Sequence, residues 1–226
     1  REKYPEDELY LVVGTDMFLS FREWHEYKYL LDNCTLAVLS RETDDRGEIL
    51  PFKRSLENED GARIRLIEHE PLPMSSAEIR AMLPKAGGAE LLDDGVYSLI
   101  IKNRWYAAKP KLRWLRKKVR PYLTEKRARH VAGCEEQAVK LARRWGADVY
   151  EAAEAGILHD ITKKLSDEEQ LIMCDKYGII LDAAERRNPR ILHARTGAAL
   201  ARELFGIPDG IYSAIRWHTT GKPDMS

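Results

Sequence analysis

The stretch Ala155-Gly156-Ile157-Leu158-His159-Asp160-Ile161-Thr162-Lys163 sets the reading of the chain. Residues 149–159 carry apolar side chains at helical spacing, so a polar His–Asp pair closes a helix that reads as buried. An imidazole nitrogen and a carboxylate oxygen side by side are what a borderline divalent metal accepts. A single buried histidine is usually a satisfied core residue. Here, however, four of the six histidines (His130, His159, His193 and His218) fall in one region, each on an apolar helical stretch or at its end. Burying several imidazoles costs desolvation unless each finds a partner, and a shared metal supplies one.

Outward from that stretch the pattern stays helical. Residues 123–145, 149–159, 167–177, 191–205 and 209–218 have helical periodicity, with Gly146, Gly178 and Gly206 placed as helix ends. No strand pattern interrupts them, so 108–226 is expected to be an all-α bundle. Between 102 and 129 twelve basic residues face one acid, Glu125, with Pro110 and Pro121 as punctuation; this is the linker candidate.

Further towards the amino terminus the period changes. Residues 9–13 (LYLVV) and 35–39 (TLAVL) read as buried strands, and 62–67 alternates Ile64 and Leu66 with Arg63 and Arg65 like a third. Phe18, Phe21, Trp24, Tyr27 and Leu31 predict a helix over 18–31. Ser75 with Glu78 forms a capping-box pattern that starts a helix ahead of 79–83. Strand alternating with helix implies a parallel α/β sheet over 1–107.

Composition sets the outer limits. Thirty-seven basic and thirty-seven acidic residues cancel in a 226-residue chain, so no global field draws in nucleic acid or an anionic membrane. The longest near-uncharged run, 96–101, is far too short to span a bilayer. Cys34, Cys134 and Cys174 are odd in number and without CxxC spacing, which argues against a disulfide framework or a thiolate zinc site and for a reducing, cytoplasmic setting. The chain opens at Arg1 with no methionine or leader pattern, and 222–226 stops in a loop-like run; both ends are expected to be cut.

The histidine-bearing motifs carry a resemblance. Arg127-x-x-His130, then Leu158-His159-Asp160-Ile161-Thr162-Lys163, Leu192-His193-Ala194 and Trp217-His218-Thr219-Thr220-Gly221 resemble the HD-domain metal-dependent phosphohydrolases. More narrowly, they resemble the bacterial branch that cleaves diadenosine tetraphosphate symmetrically to two ADP. The resemblance covers about 112–226 and implies a two-metal site. On it, His130, His159 and Asp160 hold one ion and His193 and His218 the other, with Asp160 bridging. It implies iron, with manganese as alternative. Asp160, Lys163 and Arg127 become the catalytic candidates, and Thr219 and Gly221 belong to a substrate-contacting motif. The plainer reading of Lys163 and Lys164 is a solvated helix end favoured by the macrodipole. The family's further aspartate, in an Ala-Asp pair, is expected beyond Ser226, and Ala128 stands where the family usually has an aromatic residue.

The amino-terminal half carries a second resemblance. Gly14-Thr15-Asp16 after a strand, Trp24, Arg41, Met74-Ser75-Ser76-Ala77-Glu78-Ile79-Arg80 and 96–106 (VYSLIIKNRWY) are similar, in this order, to nicotinate-nucleotide adenylyltransferase, a doubly wound nucleotidyltransferase. It implies that Ser75, Ser76 and Arg80 hold ATP phosphates at a helix amino terminus. Trp24 would stack on the pyridine ring, Asp16 would meet a nucleotide hydroxyl, and magnesium would serve the transfer. The plainer alternatives are that Trp24 is core and Ser75 a cap. The family's opening phosphate-binding loop is expected upstream of Arg1.

The leading expectation is therefore an α/β partial doubly wound nucleotidyltransferase sheet followed by an all-α HD bundle. Its partners are small nucleotides: diadenosine tetraphosphate, ATP and nicotinate mononucleotide. The rival is a non-catalytic nucleotide-sensing module. A third reading, RNA contact through 102–129 with Trp105, Tyr106 and Trp114 as stacking platforms, sits poorly with the neutral total charge.

Overall fold

In the computed structural model, residues 6–40, 46–68 and 75–223 are described. Arg41 and Met74, two of the residues carrying the second resemblance, lie outside them. The chain divides into two compact units, residues 1–75 and 76–226.

The first unit is a three-stranded parallel sheet, β1 (Tyr10–Gly14), β2 (Thr35–Leu39) and β3 (Ile64–Ile67), in the order β1-β2-β3. Tyr10 pairs with Thr35 and Leu36 with Ile64. The central strand β2 is buried along almost its whole length, as its unbroken apolar run requires. β1 departs from the buried strand expected, because it borders the described sheet and leaves Tyr10 and Val12 exposed. The connections are α1 (Thr15–Leu19), α2 (Tyr27–Asn33) and α3 (Arg46–Asp60). Phe18, Phe21, Leu31, Ile49 and Leu56 pack with Val13, Leu36, Val38 and Ile64 as one core.

The single helix expected over 18–31 is two helices separated by a 3₁₀ turn at Phe21–Glu23. The apolar residues Phe18, Phe21, Trp24 and Tyr27 recur every third position, which is the 3₁₀ period rather than the α period. Glu26 then takes a left-handed conformation, φ 53°, and restarts the chain into α2.

The second unit is helical throughout its described residues. It comprises α4 (Ser76–Met82), α5 (Asp94–Asn103), α6 (Leu112–Val119), α7 (Glu125–Trp145), α8 (Val149–Leu158), α9 (Asp167–Lys176), α10 (Ala183–Arg187), α11 (His193–Phe205) and α12 (Asp209–Trp217). Caps explain the starts: Asp93, Thr124 and Asp148 accept from backbone N–H groups of α5, α7 and α8. Ser166 with Glu169 and Asp182 with Glu185 complete capping boxes at α9 and α10. Gly146 and Gly206 end α7 and α11 in the left-handed conformation.

The border between the compact units falls at residues 75 and 76, and the apolar residues of 102–129 belong to the core of the second unit. Leu83, Tyr97, Ile100 and Ile101 share a core with Leu115, Val119, Val131, Ile157 and Ile215. The basic side chains Arg113, Arg116 and Lys117 of α6 are exposed on the faces that Leu115 and Val119 leave. Arg104 anchors the end of α5: its Nε donates to the Phe205 and Gly206 carbonyls at 3.0 Å each, and its guanidinium pairs with buried Glu154. Among the described residues no helix is long and apolar enough to cross a membrane.

Candidate metal centre

Four helices build the site. His130 projects from α7, His159 and Asp160 follow α8, His193 opens α11 and His218 closes α12. Asp160 is the hub: it is 2% exposed, with His193 at 3% and His159 at 9% beside it. Its Oδ2 lies 3.3 Å from His159 Nε2 and 3.5 Å from His130 Nε2. Its Oδ1 lies 3.3 Å from His193 Nε2 and 3.7 Å from His218 Nε2. One carboxylate therefore offers each of its oxygens to a separate pair of imidazoles. His193 and His218 approach at 3.2 Å, Nε2 to Nε2.

The rings are aimed by their own backbone. Nδ1 of His159, His193 and His218 lies 2.7–2.8 Å from the carbonyl oxygen three residues earlier, at Gly156, Arg190 and Ile215. A carbonyl only accepts, so Nδ1 carries a proton and Nε2 is the ring atom turned to Asp160, able to donate to it or, with its own proton gone, to bind a metal. A buried polar network supports this turn. Gln170 Nε2 donates to the Thr162 carbonyl at 2.7 Å, Thr162 Oγ1 donates to the His193 carbonyl at 3.0 Å, and Thr196 Oγ1 donates to Gln170 Oε1 at 2.6 Å. Thr162 belongs to the motif that follows His159, whereas Gln170 and Thr196 did not stand out in the sequence, since an isolated threonine and a glutamine have no distinctive spacing.

Arg127 Nη1 donates to Asp160 Oδ2 at 2.7 Å. Lys163 Nζ lies 3.1 Å from His193 Nδ1 and 3.4 Å from the Arg190 carbonyl, so it points into the site rather than out to solvent. Burial pushes the Lys163 ammonium below the usual lysine range, against the pull of Asp160. Burial also lowers His130. Burial alone would raise the Asp160 carboxyl, but hydrogen bonds from His159, His193 and His218 outweigh it and hold it far below the ordinary carboxylate range.

Four imidazoles around one ionised carboxylate fit a pair of borderline divalent cations: each ion finds nitrogen donors and one oxygen, and the aspartate charge offsets part of theirs. Cys134 adds a donor that the sequence reading discounted for want of a CxxC. Its Sγ lies 3.4 Å from His130 Nε2. Its position four residues after His130 on one helix was the available signal. Thr219 lines a cleft with Ile191, Arg195, Arg216 and Trp217 beside His218. Gly221 takes φ +68° and its N–H closes the turn on the Trp217 carbonyl at 2.8 Å.

The residues of the second resemblance fall in different units. Asp16 is exposed in the first turn of α1, at the carboxyl end of β1, and Trp24 is half-buried against Phe21 with ring centroids 5.1 Å apart. In the same unit a cleft at the carboxyl ends of β2 and β3 is lined by Val38, Arg46, Ile49, Leu66 and Glu68. Ser75 precedes α4. Ser76 opens it, exposed, and Arg80 lies over the Tyr106 ring at 5.2 Å.

Residues 127–225 match the model of the HD domain. The chain is 38% identical over 109 residues to the symmetrical bis(5'-nucleosyl)-tetraphosphatase of Halalkalibacterium halodurans, a match covering 48% of this chain and 58% of that protein. It is 35% identical over 96 residues to a protein of Pelobacter propionicus named probable nicotinate-nucleotide adenylyltransferase, covering 36% of this chain and 44% of the other. Against a protein of Mycoplasma genitalium named probable nicotinate-nucleotide adenylyltransferase/Ap4A hydrolase, identity is 24% over 224 residues, 99% of this chain and 57% of that one. The matches thus span less than two thirds of the length of these relatives. The converging histidines and the family match fall on the same segment: the chain carries an HD domain at residues 127–225.

Proposed function

We propose that the protein is a metal-dependent HD phosphohydrolase that splits diadenosine tetraphosphate symmetrically into two ADP. We further propose that its other half, read from the sequence as 1–107, is an adenylyltransferase-type unit joining nicotinate mononucleotide and ATP. The observation that carries the hydrolase reading is the division of Asp160, one oxygen to His130 and His159 and the other to His193 and His218. The relatives' names give the substrate class, and the similarity to the Mycoplasma protein over 99% of this chain supports the joining of two activities.

In the reaction, water oxygen bonds to one of the two central phosphorus atoms, and the oxygen bridging them leaves with the other ADP. When bound, two cations held by His130, His159, Asp160, His193 and His218 would supply Lewis acidity and an acidified water, iron or manganese matching the donors. Before any cation arrives, the imidazoles of His159, His193 and His218 hold the Asp160 carboxyl ionised, far below its ordinary range, so its charge is already in place. The backbone carbonyls at Gly156, Arg190 and Ile215 hold each ring in one tautomer, so no reorganisation is needed on substrate arrival. Arg127 and Lys163 place cationic groups beside Asp160 and His193, where they can meet polyphosphate oxygens. Trp24, Asp16, Ser75, Ser76 and Arg80 are assigned to the transferase substrates, with magnesium.

The test is to load the full chain with iron or manganese and supply diadenosine tetraphosphate. ADP as sole product is expected. AMP plus ATP, or no turnover by a protein with its metals bound, overturns the reading, the latter in favour of nucleotide sensing. Pyrophosphate release from ATP and nicotinate mononucleotide tests the other half.

A further inference from the structure

Cys134 has no part in the reading above, yet its sulfur sits among the donors on one side of Asp160. His130, Cys134 and His159 each offer a ligand atom, and the three atoms lie within 4.8 Å of one another. The same histidines are the pair that faces Asp160 Oδ2. The opposite pair, His193 and His218, faces Oδ1. Among the described residues Cys34 and Cys174 belong to no such group of donors. The two sides of the carboxylate are therefore chemically unlike, one nitrogen-only and one with sulfur in reach.

The spacing suits a shared ion. Two ligands on one tetrahedral cation, at about 2.3 Å for sulfur and about 2.0 Å for nitrogen, are separated by roughly 3.5 Å. Cys134 Sγ and His130 Nε2 are 3.4 Å apart. His130 Nε2 and His159 Nε2 lie 3.5 Å and 3.3 Å from Oδ2, the separation expected of nitrogen and oxygen on such an ion. Helical geometry explains how this arises, since residues four apart on α7 project to the same side.

We propose that Cys134 is a metal ligand, completing with His130, His159 and Asp160 Oδ2 a four-donor set for a thiophilic divalent cation of the zinc or ferrous class. The sulfur–metal bond forms as the thiol proton passes to solvent. Because a thiolate ranks softer, later divalent ions above manganese and magnesium, this position differs in metal preference from the His193–His218 position. It also becomes the oxidation-sensitive side of the centre, half-exposed where Cys34 and Cys174 are buried. The inference rests on the metal-centre reading and adds a ligand to it.

Cobalt(II) tests it without turnover. The full chain loaded with cobalt should show a sulfur-to-cobalt charge-transfer band in the near ultraviolet, lost in Cys134→Ala and Cys134→Ser and kept in Cys174→Ala. Zinc affinity should fall at least about tenfold in Cys134→Ala, with far-UV circular dichroism unchanged. Stoichiometric cobalt with visible ligand-field bands but no charge-transfer band overturns the proposal while leaving the histidine centre standing. No cobalt bound by any form overturns the metal-centre reading and the proposal with it.

Discussion

Replacing Gly156 by alanine should force apart the two helices that bring His130 to Asp160. A Cβ there would lie 2.7 Å from Glu135 Cα and 3.2 Å from Glu135 N, main-chain atoms of α7 that no rotamer change can move. Reaching even the 3.4 Å edge of ordinary contact needs α8 to retreat by roughly 0.7 Å. Alanine gains about 1 kcal/mol of helix propensity over glycine. Overpacking costs about 1–3 kcal/mol, and a backbone obstacle places this case at the upper end. The net loss is about 2 kcal/mol. Gly133→Ala is the internal control: it lies on the same α7, is exposed and has nothing within 4 Å of an added Cβ, so it should gain up to about 1 kcal/mol. The difference between the variants cancels propensity and reads the steric effect alone, about 3 kcal/mol. Urea unfolding followed by circular dichroism measures it, and a metal-binding isotherm should show Gly156→Ala weakened by about tenfold or more. Equal stability of the two variants, with unchanged metal affinity, would refute the close α7–α8 approach as the device that sets the site.

Other expectations follow from single contacts. Asp160→Asn removes the charge shared by both imidazole pairs and should drop bound metal below one ion per chain; two ions retained on elemental analysis would refute the bridging role. At Gly206, φ is +56° and an added Cβ would meet the Lys102 carbonyl oxygen at 2.2 Å. Gly206→Ala should therefore cost about 3 kcal/mol, and a loss under about 1 kcal/mol in thermal unfolding would contradict the fit of α5 against the end of α11. Arg104→Met strands the buried Glu154 carboxylate, costing about 3 kcal/mol near neutral pH. Burial already lifts the Glu154 carboxyl above its ordinary 4.5, with Arg104 opposing. A raised carboxyl binds its proton more tightly folded than unfolded, so its contribution is fully present below 4.5 and is lost as pH climbs above 4.5 through the raised folded value. The deficit of Arg104→Met should thus be small at pH 4 and widen towards pH 7; a pH-independent deficit in denaturant midpoints refutes the assignment.

Much of this architecture was legible where the signal is local. The helical period and the left-handed glycines at 146 and 206 act within a turn or two, so α7, α8, α9, α11 and α12 could be placed to within a residue or two, while the five-residue α10 is too short to show a period. The strands stood out for the same reason, β1 and β2 as apolar runs and β3 as an alternation of Ile64 and Leu66 with arginines. The histidines were legible as candidates because burying imidazole is costly, and the structure brings all four to Asp160. What stayed hidden depends on contacts distant in sequence. The packing of Tyr97 and Ile101 beside Leu115 cannot be read from α5 alone, and the stretch 102–129 announced its charge rather than its buried Leu115 and Val119. The break at Phe21–Glu23 was missed because period three and period 3.6 look alike over one or two turns. The transferase-type residues were legible only as an order of motifs.

The Nδ1 contacts of His159, His193 and His218 have one more consequence. Each anchor is a carbonyl of the ring's own preceding turn, so the orientation of three donors is inherited from secondary structure and not from whatever they grip. Such a receptacle exists ahead of its contents. Chelation should strip the protein without melting it, and reloading with a different ion should be quick, reversible and free of any refolding step.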